Sequence, residues 1–111
     1  MEKENYRPLP PEAVRMVAAR FKLLGEPLRV QILQVLHDGP MNVTEITRMI
    51  GTTQPNASKH LKFLQDAGVV DRKQEGNSVY YSITDHTVFE LCEVVCNGLK
   101  AGLEKKSSIF G

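Results

Sequence analysis

The chain has 111 residues, 41% of them apolar and 24% charged, with a formal net charge of +1 at neutral pH. That length predicts one domain, and the composition is that of a folded globular chain, not a disordered, collagen-like or membrane-spanning one. The near-zero charge excludes a uniformly basic nucleic-acid binder, so any positive surface has to be local.

A polar lead (1–10) is followed by Val14, Val17, Ala18, Phe21 and Leu24, whose three- and four-residue spacing predicts a first helix ending near Gly25. Glu26-Pro27 opens a second helix, with Leu28, Ile32, Val35 and Leu36 toward a core and a stop at Gly39-Pro40. "NVTEITRMI" predicts a short third helix capped by Asn42, with Val43, Ile46, Met49 and Ile50 on one face and Gly51 ending it. In "GTTQPNASKHLKFLQDAG", Thr52 or Thr53 can cap a fourth helix, Pro55 is tolerated in its first turn, and Ala57, Leu61 and Leu64 share the buried side.

The period then changes to two. Val69-Val70 and the alternation Val79, Tyr81, Ile83 flank a polar turn at Gly76-Asn77 and predict a hairpin. From Asp85 to about Lys105 the helical period returns, with Val88, Leu91, Cys92, Val95, Leu99 and Leu103 as its stripe. The expected organisation is a single domain over 11–105 with a frayed tail at 106–111. The expected fold class is mainly α (α+β), a winged helix-turn-helix of order α-α-α-α-β-β-α.

Such a pair of short helices followed by a hairpin suits DNA. With Ala57, Leu61 and Leu64 turned inward, Lys59 and Lys62 project outward, and Gln54, Asn56 and Ser58 lie near the exposed N-terminal end. Glutamine and asparagine side chains pair bidentately with adenine, serine serves base or phosphate, and lysine reaches phosphate or guanine. The hairpin adds Arg72 and Lys73, with Gly76, Asn77 and Ser78 at its tip. A winged-helix module that meets another protein is the rival reading, and it predicts a more apolar exposed face. Catalysis is not expected, because "CEVVC" is not the C-x-x-C of dithiol oxidoreductases and no glycine-rich phosphate loop is present.

The runs "LGEPLRVQILQVL" and "NVTEITRMIGTTQPNASKHLKFLQDAGVVDRKQEGNSVYYSI" closely resemble the ArsR/SmtB family of bacterial winged-helix repressors, over nearly the whole span from Ala13 to Leu99. The resemblance implies a homodimer that binds double-stranded DNA at a two-fold operator and is released by an inducer; a cytoplasmic location is expected separately, since no apolar run has signal-peptide or membrane-helix length. It implies DNA-reading roles for Thr53, Gln54, Asn56, Ser58, Lys59, His60 and Lys62, and for Arg72 and the tip Gly76 to Ser78; His60 flanks the apolar face, where a partly buried, hydrogen-bonding histidine is the alternative to a base contact. It also implies a dimer built on the first and last helices, which here offer Val14, Val17, Phe21, Val88, Leu91, Cys92, Val95 and Leu99.

The family's arsenic-type cysteine pair is absent, since Asn42 and Thr44 stand in its place. Its zinc set is reduced to Asp85, with Thr87, Gly98 and Ala101 where the other ligands would be, and one carboxylate cannot assemble a tetrahedral site. Asp85 is instead a candidate cap of the last helix, with Thr87 and Glu90 a rival capping box. Cys92 and Cys96 remain, four residues apart on one helix face. They are too close and too few for a secreted disulfide framework, and two readings stay open. They can clamp a soft ion such as As(III), Cd(II) or Cu(I), or sense oxidation, or they can simply pack. An inducer that is not read by thiols, or none, is the alternative. His37 and His86 are helix-terminal residues that could add a third ligand.

Overall fold

The computed structural model describes residues 7–103. Residues 7–10 carry no regular structure; the rest of the expected lead and the whole of the expected tail lie outside the described residues. The elements are α1 (Pro11–Leu23), α2 (Pro27–Leu36), β1 (Met41–Asn42), α3 (Val43–Ile50), α4 (Gln54–Asp66), β2 (Val70–Glu75), β3 (Ser78–Ile83) and α5 (His86–Leu103). This is a winged helix-turn-helix, mainly helical with a small antiparallel sheet of order β1-β3-β2.

Each boundary has a local cause. Proline enters the first turn of α1, α2 and α4, where the missing N–H has no helical acceptor to lose. Asn42 and Glu45 form a reciprocal capping box on α3: Glu45 N–H donates to Asn42 Oδ1 at 2.8 Å, and Asn42 N–H to Glu45 Oε1 at 2.9 Å. Between α3 and α4 the chain reverses through Gly51 at φ +80°, a left-handed turn that glycine adopts without a Cβ penalty. The abrupt end of α4 is a Schellman closure: Val69 N–H donates to Leu64 O at 2.9 Å and Gly68 N–H to Gln65 O at 3.0 Å, with Gly68 at φ +78°.

The sequence reading of seven elements omits β1. Met41 and Asn42 pair with Tyr81 and Tyr80, adding a third strand to the hairpin. Two residues are too few to display a period, and Asn42 serves as strand residue and helix cap at once.

The core gathers Leu23 from α1, Ile32, Leu33 and Leu36 from α2, Ile46 from α3, Leu61 and Leu64 from α4, and Val69, Val70 and Ile83 from the sheet and its entry. Val88 completes it from α5 at 1% exposure, so this residue belongs to the protomer interior and not to the dimer surface expected for it. Met49, expected on the inner face of α3, is 61% exposed, because Ile46 with Val43 and Ile50 already fills that contact. In contrast, Val14, Val17 and Phe21 on α1 and Val95 and Leu99 on α5 leave about half their surface exposed.

Candidate nucleic-acid interface and thiol pocket

The fourth helix divides sharply into two faces. Ala57, Leu61 and Leu64 are fully buried, whereas Gln54, Asn56, Lys59 and Lys62 are exposed and Ser58 half-buried. The same pattern of threes and fours that anchors the helix therefore also decides which side chains face outward. Thr53, expected both as cap and as reader, is the cap: its hydroxyl accepts from Asn56 N–H at 3.3 Å. Asn56 Nδ2 donates to Thr52 Oγ1 at 3.0 Å, which holds the amide near the helix N-terminus, where free backbone N–H groups and the dipole favour an anion. Lys62 lies 3.4 Å from Asp66 in an exposed pair, so its charge is shared, whereas among the described residues no carboxylate pairs with Lys59.

The wing lies beside this end of α4. A polar groove of about 340 Å³ is lined by Gln54 of α4, Asn42 and Thr44 at the start of α3, and Arg72, Asn77 and Ser78 of the hairpin. The fold thus brings together expected reader residues more than twenty positions apart. Arg72 and Lys73 are exposed on β2, with Lys73 Nζ 3.8 Å from Glu75, and Gly76 at φ +62° turns the tip.

His60 departs from the expected set. It is only 8% exposed and is turned into the protein, where its Nδ1 accepts from Arg29 Nε at 3.3 Å; an imidazole so placed does not present an edge to a base. Burial first, and then the Arg29 charge, hold its pKa below the ordinary 6.5. Arg29 also donates through Nη1 to Leu23 O at 3.3 Å and lies 3.7 Å above the Phe63 ring centroid. A second arginine, Arg20 of α1, donates to Ala67 O at 3.1 Å at the C-terminal end of α4 and lies 3.6 Å from Asp85 at the entry to α5. Neither arginine was singled out from the sequence. Arg29 lies within "LGEPLRVQILQVL", but its contact with His60 and that of Arg20 with Ala67 reach 31 and 47 positions along the chain.

Asp85 caps α5: its Oδ1 accepts from Thr87 N–H at 3.1 Å and from the Thr87 hydroxyl. That hydroxyl hydrogen bond is the main cause holding the carboxyl below its ordinary value. The rival capping box at Thr87 and Glu90 does not form, because α5 has already begun at His86.

Cys92 and Cys96 are free, half-buried thiols that line one apolar cavity of about 360 Å³, together with Phe21 of α1, Leu24 just after it, and Val30 and Gln34 of α2. Burial pushes the Cys92 thiol up, and the neighbouring Cys96 adds to it. His37 stacks flat on Phe89, with ring centroids 4.0 Å apart, and so ties the end of α2 to α5. Among the described residues no three histidine, cysteine, aspartate or glutamate side chains converge as a metal site, so one protomer offers an ion two thiols.

The profile of the bacterial regulatory protein arsR family matches residues 26–72, which run from the start of α2 to the start of the wing. The HTH-type transcriptional regulator KmtR of Mycobacterium tuberculosis is 33% identical over 96 residues, covering 86% of this chain and 74% of that one. A cadmium resistance transcriptional regulatory protein, a CadC homolog of Staphylococcus aureus, is 37% identical over 78 residues, covering 69% and 64%. The solved homodimeric winged helix-turn-helix DNA-binding domain Mb0332 of Mycobacterium bovis superposes with a TM-score of 0.71 at 32% identity, covering 81% of this chain and 87% of that one.

Proposed function

Because the chain belongs to the ArsR family of bacterial regulatory proteins, whose members regulate transcription, we propose that it is a homodimeric repressor that reads a two-fold DNA operator with α4 and the wing. The observation that carries this is the division of α4, with its apolar side wholly buried and Gln54, Asn56 and Lys59 presented outward beside Arg72, Asn77 and Ser78. Short polar groups there can approach base edges, while Lys59, Lys62, Arg72 and Lys73 can meet phosphates. The protein-interaction reading is disfavoured by this polar face. In a two-fold dimer the two reading helices fit half-sites about one or two turns of duplex apart, each turn roughly 34–36 Å.

The half-exposed stripes of α1 and α5 suit the partner contact, since Val14, Val17, Phe21, Val95 and Leu99 have no cover within the protomer. Mb0332, described as homodimeric, has the same fold. A cytoplasmic location follows from the DNA target, and no helix among the described residues is long and apolar enough to cross a membrane.

For the inducer we propose a soft cation taken by Cys92 and Cys96. Two thiols in an apolar cavity fit a soft ion of low coordination number, or part of a site completed across the dimer. A thiol pushed up by burial is a poor partner for a fast oxidant, whereas a metal displaces its proton on binding. The CadC homolog carries cadmium resistance in its name.

Two experiments test the two parts. Lys59→Ala should weaken binding to the DNA upstream of its own gene about tenfold and lower the salt slope by about one, with a smaller effect for Lys62→Ala, while dimer mass and melting temperature stay unchanged. Unchanged affinity in both removes α4 as the reader. Added Cd(II) or As(III) should release wild-type protein from that DNA but not Cys92→Ser/Cys96→Ser; release of both forms, or of neither, assigns the cysteines to packing.

A further inference from the structure

The recognition helix is held from outside by a guanidinium. Arg29, in the first turn of α2, reaches three groups at once: the Nδ1 of His60 and the ring of Phe63 on α4, and the Leu23 carbonyl that ends α1. We infer that Arg29 is the positioning residue that sets the pose of α4 against the rest of the protomer, and that its acceptor, His60, makes this hold sensitive to protons. The inference rests on the reading of α4 as the DNA-binding helix.

The chemistry follows from what each group can donate. Arginine carries only N–H donors, so the contact requires a lone pair on Nδ1, and the neutral imidazole must then keep its proton on Nε2. Protonation turns Nδ1 into a donor facing a guanidinium N–H 3.3 Å away, and the hydrogen bond becomes a meeting of two cations. The charged groups that act on His60 are Arg29 and Glu26 from α2 and Lys59 from α4 itself; Glu26 favours the protonated ring and the two cations oppose it. Among the described residues no carboxylate lies within 4.0 Å of the Arg29 guanidinium, so an aromatic face, a carbonyl and an imidazole hold it. A lysine cannot replace it. An ammonium lacks the planar fork that stacks on Phe63 while donating in two directions.

His60 and Phe63 lie on the same helix as Gln54, Asn56 and Lys59, so releasing them frees the reading face to tilt. Loss of pose weakens discrimination between sequences more than it weakens phosphate contact, and an added proton strengthens contact with any DNA. The quantity to follow is therefore the ratio of affinities for the upstream fragment and for a scrambled fragment of the same length. Wild type, Arg29→Lys and His60→Gln would be compared by anisotropy at fixed salt, from neutral pH down to about one unit below the histidine range. Glutamine supplies an acceptor that does not titrate, and His37 and His86 are common to all three proteins.

The wild-type ratio should fall about tenfold on acidification, that of H60Q should match wild type at neutral pH and stay flat, and that of R29K should start about tenfold lower and stay flat. An NMR titration of the His60 ring should place its midpoint below that of free histidine. A folded R29K with the wild-type ratio, or a fall in H60Q parallel to wild type, overturns the inference, and the H60Q arm decides the matter if R29K melts early. Wild-type binding at neutral pH that ignores salt, or that is equal for both fragments, removes the premise and the inference with it, and is distinguishable because it is seen in the wild type before any acidification or substitution.

Discussion

The fourth and fifth helices carry similar apolar periods and meet opposite fates. In α4 every residue of the stripe is buried, and Arg29 and Arg20 fasten its middle and its C-terminal end. In α5 only Val88 reaches the core, while Leu91, Cys92 and Cys96 are half-buried and Val95 and Leu99 more exposed. The difference teaches that an apolar stripe says that something covers it, not what does. One helix is finished inside the protomer; the other leaves part of its stripe uncovered there, and the cavity holding both thiols lies along that side.

Substitutions can break this contrast in order of expected size. Leu61→Ala empties a fully buried site on α4 and should lower unfolding free energy by about 2–5 kcal/mol in urea titrations. Leu99→Glu, half-exposed on α5, should leave helix content intact yet weaken dimerisation about 100-fold by sedimentation, a change of roughly 2.7 kcal/mol. Equal loss of protomer stability in both variants would erase the distinction between the helices.

A smaller effect sharpens it at the junction of the two regions. Asp85 accepts from Thr87 and lies beside Arg20, so Asp85→Ala should cost about 1 kcal/mol. The sign with pH follows from its depressed pKa. The contribution is complete above the unfolded aspartate value of 3.8 and disappears as pH falls through the lower folded value, so wild type and variant should converge in melting temperature only in strong acid.

Much of the architecture was legible because it is written locally. Asn42 with Glu45, Thr53 before Pro55, and Gly51 and Gly68 after their helices each state a boundary within four residues. The division of α4 was legible for the same reason, since Ala57, Leu61 and Leu64 fix one face and thereby the other. What was not legible is what depends on distance. Val88 and Val95 share one stripe, and nothing in the spacing tells a residue that joins the core from one that stays half-exposed. Leu33 lies off the expected stripe of Leu28, Ile32, Val35 and Leu36, yet α2 is covered widely enough to bury it beside Ile32. His60 could be placed beside the apolar face of α4, but its partner Arg29 lies 31 positions earlier, and the Arg20 contact with Ala67 spans 47.

The central claim is that the exposed face of α4 and the wing read DNA, and a salt titration tests it most directly. Anisotropy of a labelled fragment from upstream of its own gene, followed through rising salt, should give log affinity falling linearly with log salt at a slope of about −0.9 per phosphate contact, with a scrambled fragment bound far more weakly. Binding that ignores salt, or that is equal for both fragments under all conditions, would contradict the account.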